Sequence, residues 1–229
     1  MLLIPKELSH IWIGPYPAPN KWMQTWKDKH PEWNHTLYDN KFLKEFDFKT
    51  HKQINEYWKR GQFAGVADLM RLEILYEWGG FMPGADSICF ENTTELFADS
   101  EIFTIYENEF LRGRLVSPIQ ASIPKHDFIG EMIERLSKLE VSDLDEPWIS
   151  TGNWFTAEMI EEIQPNIKIL PSHYFIPVHY SGYIYKGDDK IYTKQLFGLT
   201  NAVFSNPIYP SLSILEKFRY YFKKKIKKI

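Results

Sequence analysis

Three charged side chains in residues 64–86 (AGVADLMRLEILYEWGGFMPGAD) are placed to do chemistry together: Asp68, Arg71 and Asp86. Ala67, Met70, Arg71, Ile74, Leu75 and Trp78 follow the i, i+3, i+4 spacing of a helix, which predicts one over residues 62–78 with Gly79 and Gly80 as its stop. Asp68 and Arg71 are three apart and so project from one face of that helix. The commoner fate of such a pair is a plain ion pair. Here the helix leads into Gly79 and Gly80, where a backbone without side chains can approach a ligand closely. Asp86 then follows on a short segment over residues 81–90. A carboxylate can hold a divalent cation against the charge growing on a leaving diphosphate. Asp accepts hydrogen bonds from sugar hydroxyls, and Arg offers a bidentate fork of donors. Sugar transfer from a nucleotide diphosphate requires those groups.

The residues that carry this chemistry sit in a wider pattern. IPKELSHIWIG at residues 4–14, ADLMRLEILYEWGG at 67–80 and the GAD at 84–86 resemble glycosyltransferase family 32, as do YENE at 106–109 and IPVHYSGYIYKG at 176–187. The resemblance reaches residue 204 or so. It implies a retaining enzyme of the glycosyltransferase-A fold, an α/β domain with a mainly parallel central sheet flanked by helices. It implies that Ile11, Trp12 and Gly14 line the nucleotide pocket, Trp12 being a stacking ring, and that Asp68 and Arg71 hold the donor sugar beside Gly79 and Gly80. Asp86 would be the direct ligand of Mn²⁺ or Mg²⁺. The donor would be a nucleotide-diphosphate sugar, a UDP-sugar favoured. The acceptor would be a glycan or lipid-linked glycan of the kind from which bacterial surface polysaccharides are assembled.

Two positions depart from the family pattern. Gly84 stands where the family has the first Asp of its D-x-D motif, and glycine brings neither charge nor side-chain oxygen. Metal binding through Asp86 with phosphate and water, substitution by Glu91 or Glu107, and loss of activity are the three outcomes open. The family's late His-x-Trp is replaced by QLFG at residues 195–198, so Gln195 is either a carbonyl ligand of the metal or a structural amide. A degenerate scaffold that binds a nucleotide or glycan without turnover is the alternative function.

The elements needed to position these groups are legible in outline. Residues 8–14 read as a buried strand ending at Gly-Pro, and residues 15–19 (PYPAP) as a loop, because proline removes backbone donors. A helix is expected from Asn20 to about residue 29, then a strand over 33–38 ended by Asp39 and Asn40. Further strands are expected at 102–106, 167–170 and 202–204, with helices over 126–139 and 156–163. Alternating strands and helices favour a parallel sheet whose ligand lies beyond the carboxyl ends of its strands, which is where Gly14, Asp39 and Asp86 fall. Tyr106, Glu107 and Asn108 after one strand, and Thr151 and Asn153 in WISTGNW, are either turn and cap residues or acceptor contacts. His10, His173 and His179 show no zinc spacing, and His179 is a candidate for the cleft wall.

Composition narrows the class. The chain has 229 residues, 44% of them hydrophobic, and a net charge of −3, which excludes a disordered chain and argues against a nucleic-acid binder. A 16% aromatic share suits either sugar stacking or an aromatic core. Cys89 is the only cysteine, so there is no internal disulfide, and neither a signal peptide nor a membrane-spanning run is evident. A cytoplasmic protein is expected, with one catalytic domain over residues 1–205. The remainder, 206–229, is a basic amphipathic tail whose end, residues 218–229 (FRYYFKKKIKKI), suits either an anionic membrane surface or a solvated terminus.

Overall fold

The computed structural model describes residues 3–197. The expected strand at 202–204 and the basic segment at 218–229 lie outside the described residues. Strand β1 (Glu7–Ile11) is followed by helix α1 (Asn20–Lys29), strand β2 (Asn34–Tyr38) and helices α2 (Asn40–Glu45), α3 (His51–Lys59) and α4 (Phe63–Trp78). Next come β3 (Gly80–Phe81), β4 (Ser87–Cys89), β5 (Ile102–Ile105), α5 (Glu109–Arg112), β6 (Ala121–Ser122) and α6 (Asp127–Ser137). Helices α7 (Pro147–Ser150) and α8 (Asn153–Ile163) precede β7 (Lys168–Leu170) and β8 (Thr193–Gln195).

Six strands form one sheet in the order β2-β1-β3-β6-β5-β7. β1 pairs in parallel with β2 and β3, and β5 pairs in parallel with β7. Only β6 runs against its neighbours. β4 and β8 make a separate antiparallel pair. The fold is therefore the expected mixed α/β domain with a mainly parallel sheet and helices on its faces.

The alternation of strand side chains divides the core in two. Phe81 and Phe103 face a cluster of rings with Trp26, Trp33, Phe97 and Phe175, so much of the aromatic content is core. Met82 and Ile102, their immediate neighbours, face an aliphatic core with α3, α4, α6 and α8. Helix α4 runs through the middle of this second layer. Val66, Leu69, Met70, Leu72, Ile74 and Leu75 are all buried around its circumference, as expected of an interior helix. Gly65 allows that packing, since a β-carbon there would come within 2.6 Å of the Tyr57 ring. The buried Glu73 is spent on structure: it accepts from the Lys49 and Thr50 amides and the Thr50 hydroxyl at the start of α3.

Candidate active site

Helix α4 carries Asp68 and Arg71 one turn apart, as the spacing predicts. Arg71 reaches the sheet, donating from Nη1 to the carbonyls of Met82 and, at 3.4 Å, Ile119. That places the guanidinium at the head of the loop that runs from β3 through Gly84 to Asp86. Its Nε has no hydrogen-bond partner among the described residues, so it retains a donor for a ligand oxygen. Burial lowers the Arg71 pKa to about 10, against the pull of the Asp68 carboxylate. Burial likewise pushes Asp68 up to about 7, while Arg71 and the Thr151 hydroxyl favour its charged form. Both residues keep some surface toward solvent.

A turn between α7 and α8 covers the Asp68 carboxylate. Thr151 Oγ1 donates to Asp68 Oδ2 at 3.2 Å, and a β-carbon on Gly152 would lie 2.9 Å from the same oxygen. Glycine is thus needed there for the carboxylate to lie against backbone. The next residue, Asn153, donates from Nδ2 to Glu107 Oε2 at 2.9 Å. Glu107 Oε1 stands 3.1 Å from His179 Nε2 and 3.9 Å from Arg112 Nε. The Ser181 amide donates to His179 Nδ1, so the neutral ring carries its proton on Nε2 and donates it to Glu107. One turn of three residues therefore ties the helix carboxylate to a second, buried carboxylate and its histidine. Beside this chain, the Arg112 guanidinium lies 5.7 Å over the Trp148 ring, and Phe110, Tyr180 and Ile184 are exposed.

Asp86 is held differently. It lies in the turn that enters β4, and the pairing of Ser87 with Gln195 brings β8 alongside. Gln195 Nε2 donates to Asp86 Oδ1 at 2.6 Å, and the Leu196 amide donates to the Asp86 carbonyl at 2.9 Å. Below the turn, Trp26 Nε1 donates to Ser87 Oγ, which donates to the Gly84 carbonyl at 2.6 Å. The amide nitrogen of Gln195, not its carbonyl, thus faces the carboxylate. Among the described residues no group of three or more His, Cys, Asp and Glu side chains could hold a metal ion. One carboxylate and one amide fit a Mg²⁺ or Mn²⁺ ion only where phosphate oxygens and water supply its other ligands.

At the carboxyl end of β1, Gly14 adopts φ +99° and exchanges two hydrogen bonds with the Asn40 side chain. A β-carbon there would meet the ring of Phe63, the first residue of α4, at 3.0 Å. Trp12 Nε1 donates to the Tyr16 carbonyl, which fixes a half-buried indole. Ile11 is buried in the aliphatic core, so it supports the site from behind. Gly79 and Gly80, the other two candidates beside the nucleotide, follow α4 directly. They sit at the amino end of β3, and their close approaches are to protein. Added β-carbons would meet Ser122 O and Pro124 at 2.8 Å and Glu7 O at 2.4 Å. Their positive φ of 66° and 102° ends α4 and turns the chain into the sheet.

Glu107, His179 and the 151–153 turn were visible in the sequence only as alternatives, because nothing local says that residues 107, 153 and 179 meet. His10, also a candidate, is buried against Trp26, and burial, with the nearby His35 and Arg71, drops its pKa to about 3. Burial also pushes the Cys89 thiol up to about 12, so it is inert.

Helix α4, with its Asp–Arg pair, and the carboxylate-bearing turn after β3 are thus joined through Arg71 on a mixed sheet. Residues 18–103 match the family model described as the glycosyltransferase sugar-binding region containing DXD motif. Among solved structures, the PaToxG glycosyltransferase is similar in fold, with a TM-score of 0.55 and 15% identity over 70% of each chain. No curated protein matches the chain.

Proposed function

We propose that this chain is a retaining hexosyltransferase of glycosyltransferase family 32, moving a hexose from a nucleotide-diphosphate sugar, a UDP-sugar favoured, to a glycan hydroxyl. The observation that carries the reading is the Arg71 clamp on Met82. Through it, the helix that carries Asp68 is joined to the segment that leads to the turn carboxylate Asp86.

In this reading Trp12 and Gly14 border the nucleotide. Asp68, with its pKa near neutrality, accepts hydrogen bonds from sugar hydroxyls, and the unspent Arg71 Nε donates to a donor oxygen. Asp86 faces the diphosphate, where a bound Mn²⁺ or Mg²⁺ would offset the charge of the departing group. The turn at 151–153 fixes Asp68 and leads to the acceptor side, where Glu107, His179 and Arg112 border exposed rings. Substitution takes place on the front face, the leaving phosphate taking the acceptor proton; trapping of a glycosylated side chain would overturn that step. The acceptor is a glycan or lipid-linked glycan. The basic segment at 218–229 would hold a cytoplasmic enzyme at an anionic membrane surface. Among the described residues no helix is long and apolar enough to cross a membrane.

A second reading, a scaffold that binds without turnover, is favoured by one observation: glycine at 84 leaves a single carboxylate on the turn. Thermal shift with UDP, GDP, CMP and their sugars, with and without Mn²⁺, separates the cases. A ligand specific for the folded state adds about 2.7 kcal/mol of stability at a hundredfold excess over its Kd. A shift with one nucleotide that grows with Mn²⁺ and vanishes in Asp86→Ala supports the enzyme, provided sugar release accompanies it. The same shift without release supports the scaffold, and no shift with any nucleotide removes the donor site.

A further inference from the structure

We infer that Gly84 and Gln195 form one coupled unit that sets the Asp86 carboxylate. The amide of Gln195 occupies the space a side chain at position 84 would fill. A β-carbon built on Gly84 meets three atoms before any other: Gln195 Oε1 at 2.8 Å, Asp86 Oδ1 at 3.3 Å and Gln195 Nε2 at 3.4 Å. The backbone of Gly84 is not in the positive-φ region, so conformation does not call for glycine there. Space does. The same amide donates to Asp86 Oδ1 at 2.6 Å, and its own backbone is fixed by the β4–β8 pairing and by donation from its amide nitrogen to the Phe175 carbonyl at 3.0 Å.

The physical consequence is specific. The atom in the way is the far end of a flexible side chain, so a substitution at 84 is accommodated by moving the Gln195 amide, which separates it from Asp86. Position 84 therefore acts through position 195. Gln195 is a positioning residue, supplying an uncharged donor where a second carboxylate would otherwise crowd Asp86. On the proposed donor-site reading, this leaves one negative charge on the turn. Divalent cation binding then depends on the phosphates of a bound nucleotide.

The test is a double-mutant cycle on the full chain with Gly84→Ala, Gln195→Ala and both together, read by melting temperature. A hydrogen bond to a charged group and the per-residue entropy of a domain this size predict that each single change lowers Tm by roughly 2–6 °C. The double variant should melt no lower than the worse single one, because both changes remove the same contact. Additive losses would overturn the coupling. Independently, the side-chain NH₂ resonances of Gln195, identified by their loss in Gln195→Ala, should move in Gly84→Ala, and unchanged resonances would overturn it as well. A second arm follows Mn²⁺ by electron paramagnetic resonance with no nucleotide, with UDP and with GDP. The wild type should bind Mn²⁺ only with a nucleotide, and Gly84→Asp/Gln195→Ala should bind the free ion about tenfold more tightly or better. A non-additive cycle with no Mn²⁺ binding by any variant keeps the coupling and removes the metal reading. An additive cycle with nucleotide-dependent Mn²⁺ binding does the reverse.

Discussion

Asp68 and Asp86 are the two carboxylates of one proposed site, yet they are held by opposite means. Asp68 sits on an interior helix buried almost all round, under a turn whose glycine lies against its oxygen, with its pKa raised to about 7 by that burial. Asp86 sits on a turn between short strands, partly exposed, and a side-chain amide from a distant strand sets its position. Regular structure fixes the first; a few side-chain contacts fix the second. The physical lesson is that the helix end of the site is rigid and its charge is malleable, whereas the turn end owes its geometry to replaceable partners.

The largest effect should come from Gly80→Ala, at the base of the strand that carries the turn. Its φ of 102° and a β-carbon 2.4 Å from a backbone carbonyl leave no flexible atom to yield. Backbone strain and overpacking together predict a loss of roughly 3–5 kcal/mol, or about 6–20 °C in Tm. Nucleotide affinity of the protein that remains folded should be unchanged. A variant with normal Tm but lost nucleotide binding would give the turn a ligand role instead of a structural one.

Next is Arg71→Met, which cuts the link between the two halves. It leaves the Met82 and Ile119 carbonyls without their donor, a cost of roughly 2–4 kcal/mol. Nucleotide-dependent thermal shift should vanish even at temperatures where the variant is fully folded. If the shift survives, the arginine is only a structural clamp. Glu107→Gln should cost less, about 1–2 kcal/mol, since an amide can replace only part of what the carboxylate accepts from Asn153 and His179. On the proposed reading its acceptor KM rises while donor affinity holds, and equal loss of both would assign Glu107 to general stability.

How much of this was legible beforehand follows the same division. The α4 periodicity gave Asp68 and Arg71 their helix and common face, and the limits of α1, β2 and β5 fell within a residue or so of expectation. Local pattern suffices where side chains alternate against one core. It fails for α3, β6 and β8, short or polar segments whose form comes from partners far along the chain. Gly79–Gly80 shows the limit of local pattern nearer the site. Two glycines after a helix suggest close approach, but sequence does not say to what, and here the neighbours are Glu7 and Pro124. Gln195 was readable as an amide near Asp86 only by position in a family pattern; that its nitrogen faces the carboxylate over Gly84 required the strand register.

The smallest effect in stability tests the helix end most directly, because it asks whether burial makes the charge of Asp68 malleable. Its folded-state pKa is raised, so the folded protein binds this proton more tightly than the unfolded chain does. Stability from this group is then greatest below about pH 4 and falls as pH rises toward about 7, above which the loss is complete. Asp68→Asn keeps an acceptor for Thr151 and cannot ionise. Relative to wild type it should gain stability between pH 5 and pH 8, by roughly 1 kcal/mol once the residue's solvent-facing side is discounted. Melting curves of the two proteins at both pH values decide the matter. A flat difference for Asp68→Asn would mean that burial does not set the charge of this carboxylate, and the account of the helix end of the site would fall.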